Sequence, residues 1–247
     1  MTSFNTAFAN NFKKIWARRK YKVIFALCCL IAVFISLFSQ GGMSFRMGIM
    51  SFSFSDASYT ILGIFSSAIL PLSAFMLMSD LIGHEISDAT LKTELLRPIS
   101  RGKLYLSKSL AAFAYCAALL FAAFLISVTI LLIQGVRQQV GVLFLSYLMG
   151  LMPTLVCVSL SGFLASLTGN PTLGMLLSVL IYVALFAASA FSHVFMAVSF
   201  TGQLSWYKMI LGSQIQWGKL GLSALMQVSY AVFFSALGQG IFSRRNL

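Results

Sequence analysis

Five stretches of this chain carry no charged side chain: residues 23–45, 57–79, 109–136, 138–207 and 220–243. Each is at least as long as the ~20 residues that a helix needs to cross ~30 Å of hydrocarbon. The fourth is long enough for two crossings, and Thr168-Gly169-Asn170-Pro171 divides it with turn residues. The expected architecture is therefore an all-α integral membrane protein with six transmembrane helices, at about 23–40, 57–79, 109–134, 140–168, 172–198 and 221–243. A hydrophobic share of 59%, a charged share of 9% and a mean hydropathy of +0.92 agree with that class and exclude an ordinary soluble domain.

The placement of charge gives the orientation. Lys13, Lys14, Arg18, Arg19, Lys20 and Lys22 precede the first span, and Lys92, Arg97, Arg101, Lys103 and Lys108 lie between the second and third. Arg244 and Arg245 follow the last span, leaving Arg46, Arg137, Lys208 and Lys219 for the opposite side. The positive-inside rule puts both termini in the cytosol. The net charge of +12 is thereby accounted for by topology and anionic lipid, so no nucleic-acid partner is expected. An uncleaved first span is expected, since no small-residue cleavage site follows it and its removal would leave an odd number.

Residues 1–22 are expected to form an interfacial amphipathic helix. Phe4, Phe8, Phe12, Ile15 and Trp16 recur on one face of a 3.6-residue period, with basic residues crowding the end nearest the membrane. Residues 23–247 then form the six-span domain. Pro71 should kink the second span, having no backbone donor. Ala114, Ala118 and Ala122, and Ser161, Ala165 and Gly169, stand four residues apart and mark seams where helix backbones can approach. The outer loop 41–56, rich in Met and Phe, is expected to lie on the membrane or over a cavity mouth. Asp56 is placed to cap the second span.

Candidate catalytic chemistry is sparse. His84-Glu85 and Asp88 give H-E-x-x-D, which lacks the second imidazole of the zinc motif H-E-x-x-H, and no metal site is expected. Gly212 to Lys219 departs from the phosphate-binding loop pattern in spacing and in its last residue, Leu220. Cys28, Cys29, Cys116 and Cys157 all fall inside spans without C-x-x-C spacing and read as apolar thiols. No Asp, Glu, Lys or Arg falls within any of the six expected spans, whereas ion-coupled carriers commonly use such groups. Energy is thus expected to enter from outside the bilayer. The segment 80–108 is the entry point: it holds Asp80, Glu85, Asp88 and Glu94, four of the chain's five acidic residues.

The residues of that segment run Asp80…Gly83-x-Glu85…Thr90-Leu91-Lys92…Leu95-Leu96-x-Pro98-Ile99-Ser100-Arg101…Lys108. This resembles the loop between the second and third spans of ABC-2-type transporter permeases, the transmembrane subunits of bacterial ABC exporters. The six-span layout and the amphipathic helix before it extend the resemblance over nearly the whole chain. Ala89 departs from the pattern, which has glycine before the threonine. The resemblance implies a cytosolic coupling helix between spans 2 and 3 that docks a separate ATP-binding subunit. Residues 88–96 suit such a helix, with Ser87 or Asp88 as cap, Leu91 and Leu95 as apolar anchor, and Pro98 as stop.

On this reading the ATPase-coupling residues are Glu85, Asp88, Thr90, Leu91, Lys92, Glu94, Leu95, Leu96, Arg97, Pro98, Ser100 and Arg101. This chain binds no cofactor; ATP and Mg belong to the partner subunit. A second permease chain, identical or different, completes the pathway in a bacterial cytoplasmic membrane. The expected function is export of an amphipathic or hydrophobic substrate (a peptide antibiotic, drug or lipid-like molecule) by alternating access. The alternatives are an ion-gradient-driven secondary transporter or channel, a membrane enzyme, and a non-conducting immunity or regulatory subunit. Single cysteines introduced at Ser44 and Ser213 are expected to react with an impermeant thiol reagent added outside; protection of either overturns the topology.

Overall fold

The computed structural model describes residues 4–38, 44–47, 50–53, 57–87, 100–134, 140–210 and 217–244. Helix α1 (Phe4–Ala17) is followed, after a break at Arg18, by α2 (Arg19–Phe38). A short antiparallel hairpin, β1 (Ser44–Met47) and β2 (Met50–Ser53), pairs Arg46 with Ser51 and Phe45 with Phe52. Then come α3 (Ser58–Ser87), α4 (Arg101–Gln134), α5 (Val140–Thr168), α6 (Pro171–Phe191), the short α7 (His193–Val198), a 3-10 turn at Trp206–Ile210, and α8 (Trp217–Arg244).

Five of these helices, α3, α4, α5, α6 and α8, are long and apolar enough to cross a membrane. The first expected span falls on α2. Its opening Arg19-Lys20-Tyr21-Lys22 leaves residues 23–38 as the apolar part among the described residues, and α2 is not among the five. Two boundaries differ from those expected at the charged end: α3 runs on past residue 79 to Ser87, and α4 begins at Arg101 rather than near 109. The expected span 172–198 is also interrupted. Ser192 is extended, with φ −135° and ψ 124°, and separates α6 from α7.

Helix α5 is the centre of the bundle, packed against α3, α4, α6 and α8. Its buried residues include Val156, Cys157, Val158, Ser161, Leu164 and Ala165. Its C-terminus is closed by Gly169, whose φ of 64° favours glycine, and whose N–H donates to the Ala165 carbonyl at 3.0 Å. Asn170 then caps α6, its Oδ1 accepting from the Thr172 N–H at 3.0 Å, with Pro171 at the first helical position. The outward faces of α6 and α8 carry exposed Leu176, Leu180, Leu222, Leu225 and Phe233, as expected of helices facing hydrocarbon.

Prolines interrupt two of the crossing helices, and each interruption has a tertiary remedy. Pro71 cannot donate to the Ser67 carbonyl four residues before it, and α3 widens into a π turn at Phe65–Ile69. The Tyr182 hydroxyl of α6 donates to that Ser67 carbonyl at 2.6 Å. Pro153, inside α5, likewise leaves the Met149 carbonyl without its helical donor. The Trp206 indole N–H donates to it at 3.1 Å. A bare carbonyl in hydrocarbon has no water to turn to, so these aromatic donors carry a share of the fold's stability.

Trp206→Phe keeps the ring but removes the donor, and should destabilise the protein by about 1–3 kcal/mol in thermal unfolding. In a Pro153→Ala background the same substitution should cost much less, because the restored backbone N–H at 153 can reach the Met149 carbonyl. Equal costs in the two backgrounds would refute the assignment.

Candidate functional site

The charged groups collect where α1, the start of α2, the end of α3 and the start of α4 meet. Two carboxylates organise them. Asp80 sits in a second π turn of α3, Ser79–Gly83, and Glu85 follows in the last turn, His84–Ser87. In a regular α-helix residues five apart point about 140° from each other. A π turn takes about one more residue to close and so narrows that angle. Both carboxylates thereby face the basic end of α1. At Gly83 an added Cβ would lie 2.8 Å from Pro171 Cα, so glycine allows this turn to press against the start of α6.

Asp80 Oδ2 accepts from the Arg18 guanidinium at 3.3 Å, from the Lys20 ammonium and from the Tyr21 hydroxyl. Glu85 Oε1 accepts from Lys14 Nζ at 2.5 Å, while its Oε2 accepts from Lys108. Lys108 also donates to the Leu81 carbonyl at 3.2 Å. The Lys108 side chain has 0% of its surface exposed and that of Glu85 4%, so this pair is removed from solvent. Desolvating both ions is costly, and the contact is sustainable because each has further polar partners. Neutral contacts extend the seam: Asn11 Nδ2 donates to Ser107 Oγ at 3.0 Å, and the Tyr115 hydroxyl to the Tyr21 carbonyl at 2.7 Å.

The network thus ties α1 and α2 to both helices that bracket residues 88–99. Of the expected coupling residues, Asp88, Thr90, Leu91, Lys92, Glu94, Leu95, Leu96, Arg97 and Pro98 lie outside the described residues. Glu85 is turned inward into the ion network. Ser100 is exposed just before α4, and Arg101, the first residue of α4, donates to the Ser243 carbonyl of α8 at 3.0 Å. Both edges of the 88–99 segment are therefore anchored to the bundle.

The aromatic row of α1 is divided in its surroundings. Ile15 is buried, together with Ala7 and Asn11, whereas Phe4, Phe8 and Phe12 are half-buried and Trp16 is 40% exposed. The protein-facing stripe is thus offset from the one marked by the aromatics. On α4, Ala114, Ala118 and Ala122 are half-buried, flanking the fully buried Ala112, Cys116 and Leu119. Ser161 and Ala165 lie at close approaches: Ser161 Oγ donates to the Phe75 carbonyl at 3.4 Å, and a Cβ at Gly174 would stand 3.2 Å from Ala165 Cα. Among the described residues no cluster of His, Cys, Asp or Glu is suited to a metal ion, and Cys28, Cys29, Cys116 and Cys157 are free thiols.

Sequence reasoning identified Asp80, Glu85 and Lys108 as parts of a motif but missed their pairing with Lys14, Arg18, Lys20 and Tyr21. The available signal was Asn11: a polar residue in the seam of an otherwise apolar helix face asks for a buried partner. Lys108→Met alone should destabilise the protein by about 3–5 kcal/mol, since it leaves Glu85 buried beside fewer cations. Glu85→Met combined with Lys108→Met should recover most of that loss in detergent-solution melting; an additive pair of losses would argue against the contact.

Residues 7–185, most of the chain, match the family model described as ABC-2 family transporter protein. A comparison with curated proteins finds no match.

Proposed function

As the chain belongs to the ABC-2 family of transporter proteins, we propose that it is the membrane-spanning permease subunit of an ATP-binding-cassette exporter. It is a multi-pass membrane protein by family and by its apolar helices. In this reading α2 supplies a sixth crossing, its basic first turn remaining in the headgroup region. Both termini then face the cytosol of a bacterial cell. ATP is hydrolysed on a separate subunit, which grips residues 88–101.

The observation that carries the proposal is the anchoring of that segment. The helix entering it and the helix leaving it are joined to one another by the buried Glu85–Lys108 contact, and to α1 through Lys14. A displacement applied at residues 88–99 is therefore passed to α1, α3 and α4 together instead of being absorbed as loop motion. Two such chains, identical or different, would enclose the pathway. Closure of the ATPase subunits opens the bundles outward, the substrate leaves, and hydrolysis resets them. The apolar walls suit an amphipathic or hydrophobic cargo.

Glu94→Lys, by charge reversal at the expected docking rim, should uncouple ATP hydrolysis from transport in vesicles containing both subunits while leaving membrane insertion intact. Substitution of the partner ATPase's catalytic glutamate should abolish transport altogether. Full transport in vesicles that hold an ion gradient and no ATPase would overturn the reading in favour of a secondary carrier.

A further inference from the structure

Between α1 and α4 runs a cleft of about 440 Å³, lined by Phe4, Phe8, Leu110, Phe113, Ala114 and Ala117, with Asn5 at its edge. Its volume falls in the range of ~300–1,000 Å³ common for ligand sites, and its lining is almost wholly apolar. The cleft does not end blindly. Phe8 stacks on Phe12 at 6.2 Å between ring centres, Phe12 on Trp16 at 6.4 Å, and Trp16 meets Phe25 edge-on at 5.4 Å. An aromatic lane thus leads from the cleft to the corner where α1 gives way to α2. Along that lane and at that corner stand Lys13, Arg19 and Lys22, exposed and without a carboxylate partner among the described residues. The nearby acids are already outnumbered, since Asp80 and Glu85 are shared among Lys14, Arg18, Lys20 and Lys108.

We infer that this cleft is a binding site for one anionic phospholipid, with an acyl chain against Phe4, Phe8, Leu110, Phe113, Ala114 and Ala117 and the phosphate headgroup at Lys13, Arg19 and Lys22. An apolar slot alone would accept any lipid chain. The uncompensated cations at the far end of the aromatic lane supply the preference for a negative headgroup, as basic pockets at the ends of membrane helices do. The combination of one buried chain with a basic patch is also the pairing that makes lipid attachment durable. A bound lipid would fill the space under α1 and hold that helix, with Lys14 and Arg18, against α3. The inference requires a membrane-embedded chain and is independent of the ATPase partner.

Trp16 provides the measurement. The full-length protein is reconstituted in bilayers of equal phosphatidylglycerol and phosphatidylcholine content, with brominated chains placed on one lipid or on the other. The quenching assigned to Trp16 is the part lost in the Trp16→Phe variant. Brominated phosphatidylglycerol should associate with Trp16 about fivefold more strongly than brominated phosphatidylcholine. Replacing Lys13, Arg19 and Lys22 together by Gln should bring the ratio to one, and Ala114→Leu with Ala117→Leu should lower it by filling the slot. Equal quenching by the two lipids in the unsubstituted protein overturns the inference, as does a ratio unchanged by either set of substitutions. Free glycerol phosphate at millimolar concentration should leave the ratio unaltered; its loss would assign the cations to a soluble anion instead. Because no transport is measured, the outcome stands apart from that of the permease assignment.

Discussion

A lysine with no exposed surface cannot remain charged in an apolar bundle without an opposing charge held against it, and Lys108 finds that charge in Glu85. Glu85 is fixed by α3, Lys108 by α4, and α1 closes over both through Lys14. Three segments far apart in sequence must therefore assemble together or leave a buried ion unmatched. Replacing such a group by an apolar one of similar size is often tolerated elsewhere. Here the pair joins α3 to α4, the two helices that bracket residues 88–99.

Backbone satisfaction is the second constraint. In hydrocarbon a helix can bend only if the carbonyls it releases find other donors. Tyr182 and Trp206 meet that demand for Ser67 and Met149, and the Tyr147 hydroxyl adds a bond between helices by donating to the Ser58 carbonyl at 3.0 Å. Aromatic residues with a polar tip hold the helices in register through directed bonds, while the Gly and Ala positions set how closely they come. Gly162 and Gly238 both make room for the Tyr105 ring, which lies between α5 and α8.

The parts of this architecture governed by local chemistry were legible in the sequence. Thr168-Gly169-Asn170-Pro171 announces the α5–α6 turn because each residue has a distinct stop or start role, and the span 140–168 coincides with α5. The parts governed by distant partners were not. Asp80 and Glu85 read as a point of exit from the bilayer, because Lys14, Arg18 and Lys20, which share in neutralising them, lie 60 and more residues earlier in the chain. The hairpin was overlooked because Met and Phe repeat without a strong alternation. The break at Ser192 has neither proline nor glycine to mark it.

The Ser79–Gly83 π turn has a consequence for how this chain can vary. A π turn holds one residue more than the α turn it replaces. Deleting a single residue there would let the helix revert to regular winding, with one residue fewer in the turn, and the residues beyond would keep nearly the same azimuth. Glu85 would then still face Lys108, now four residues after Asp80 instead of five. Two spacings between Asp80 and Glu85 thus give the same angular phase: five residues through a π turn, or four through regular α winding.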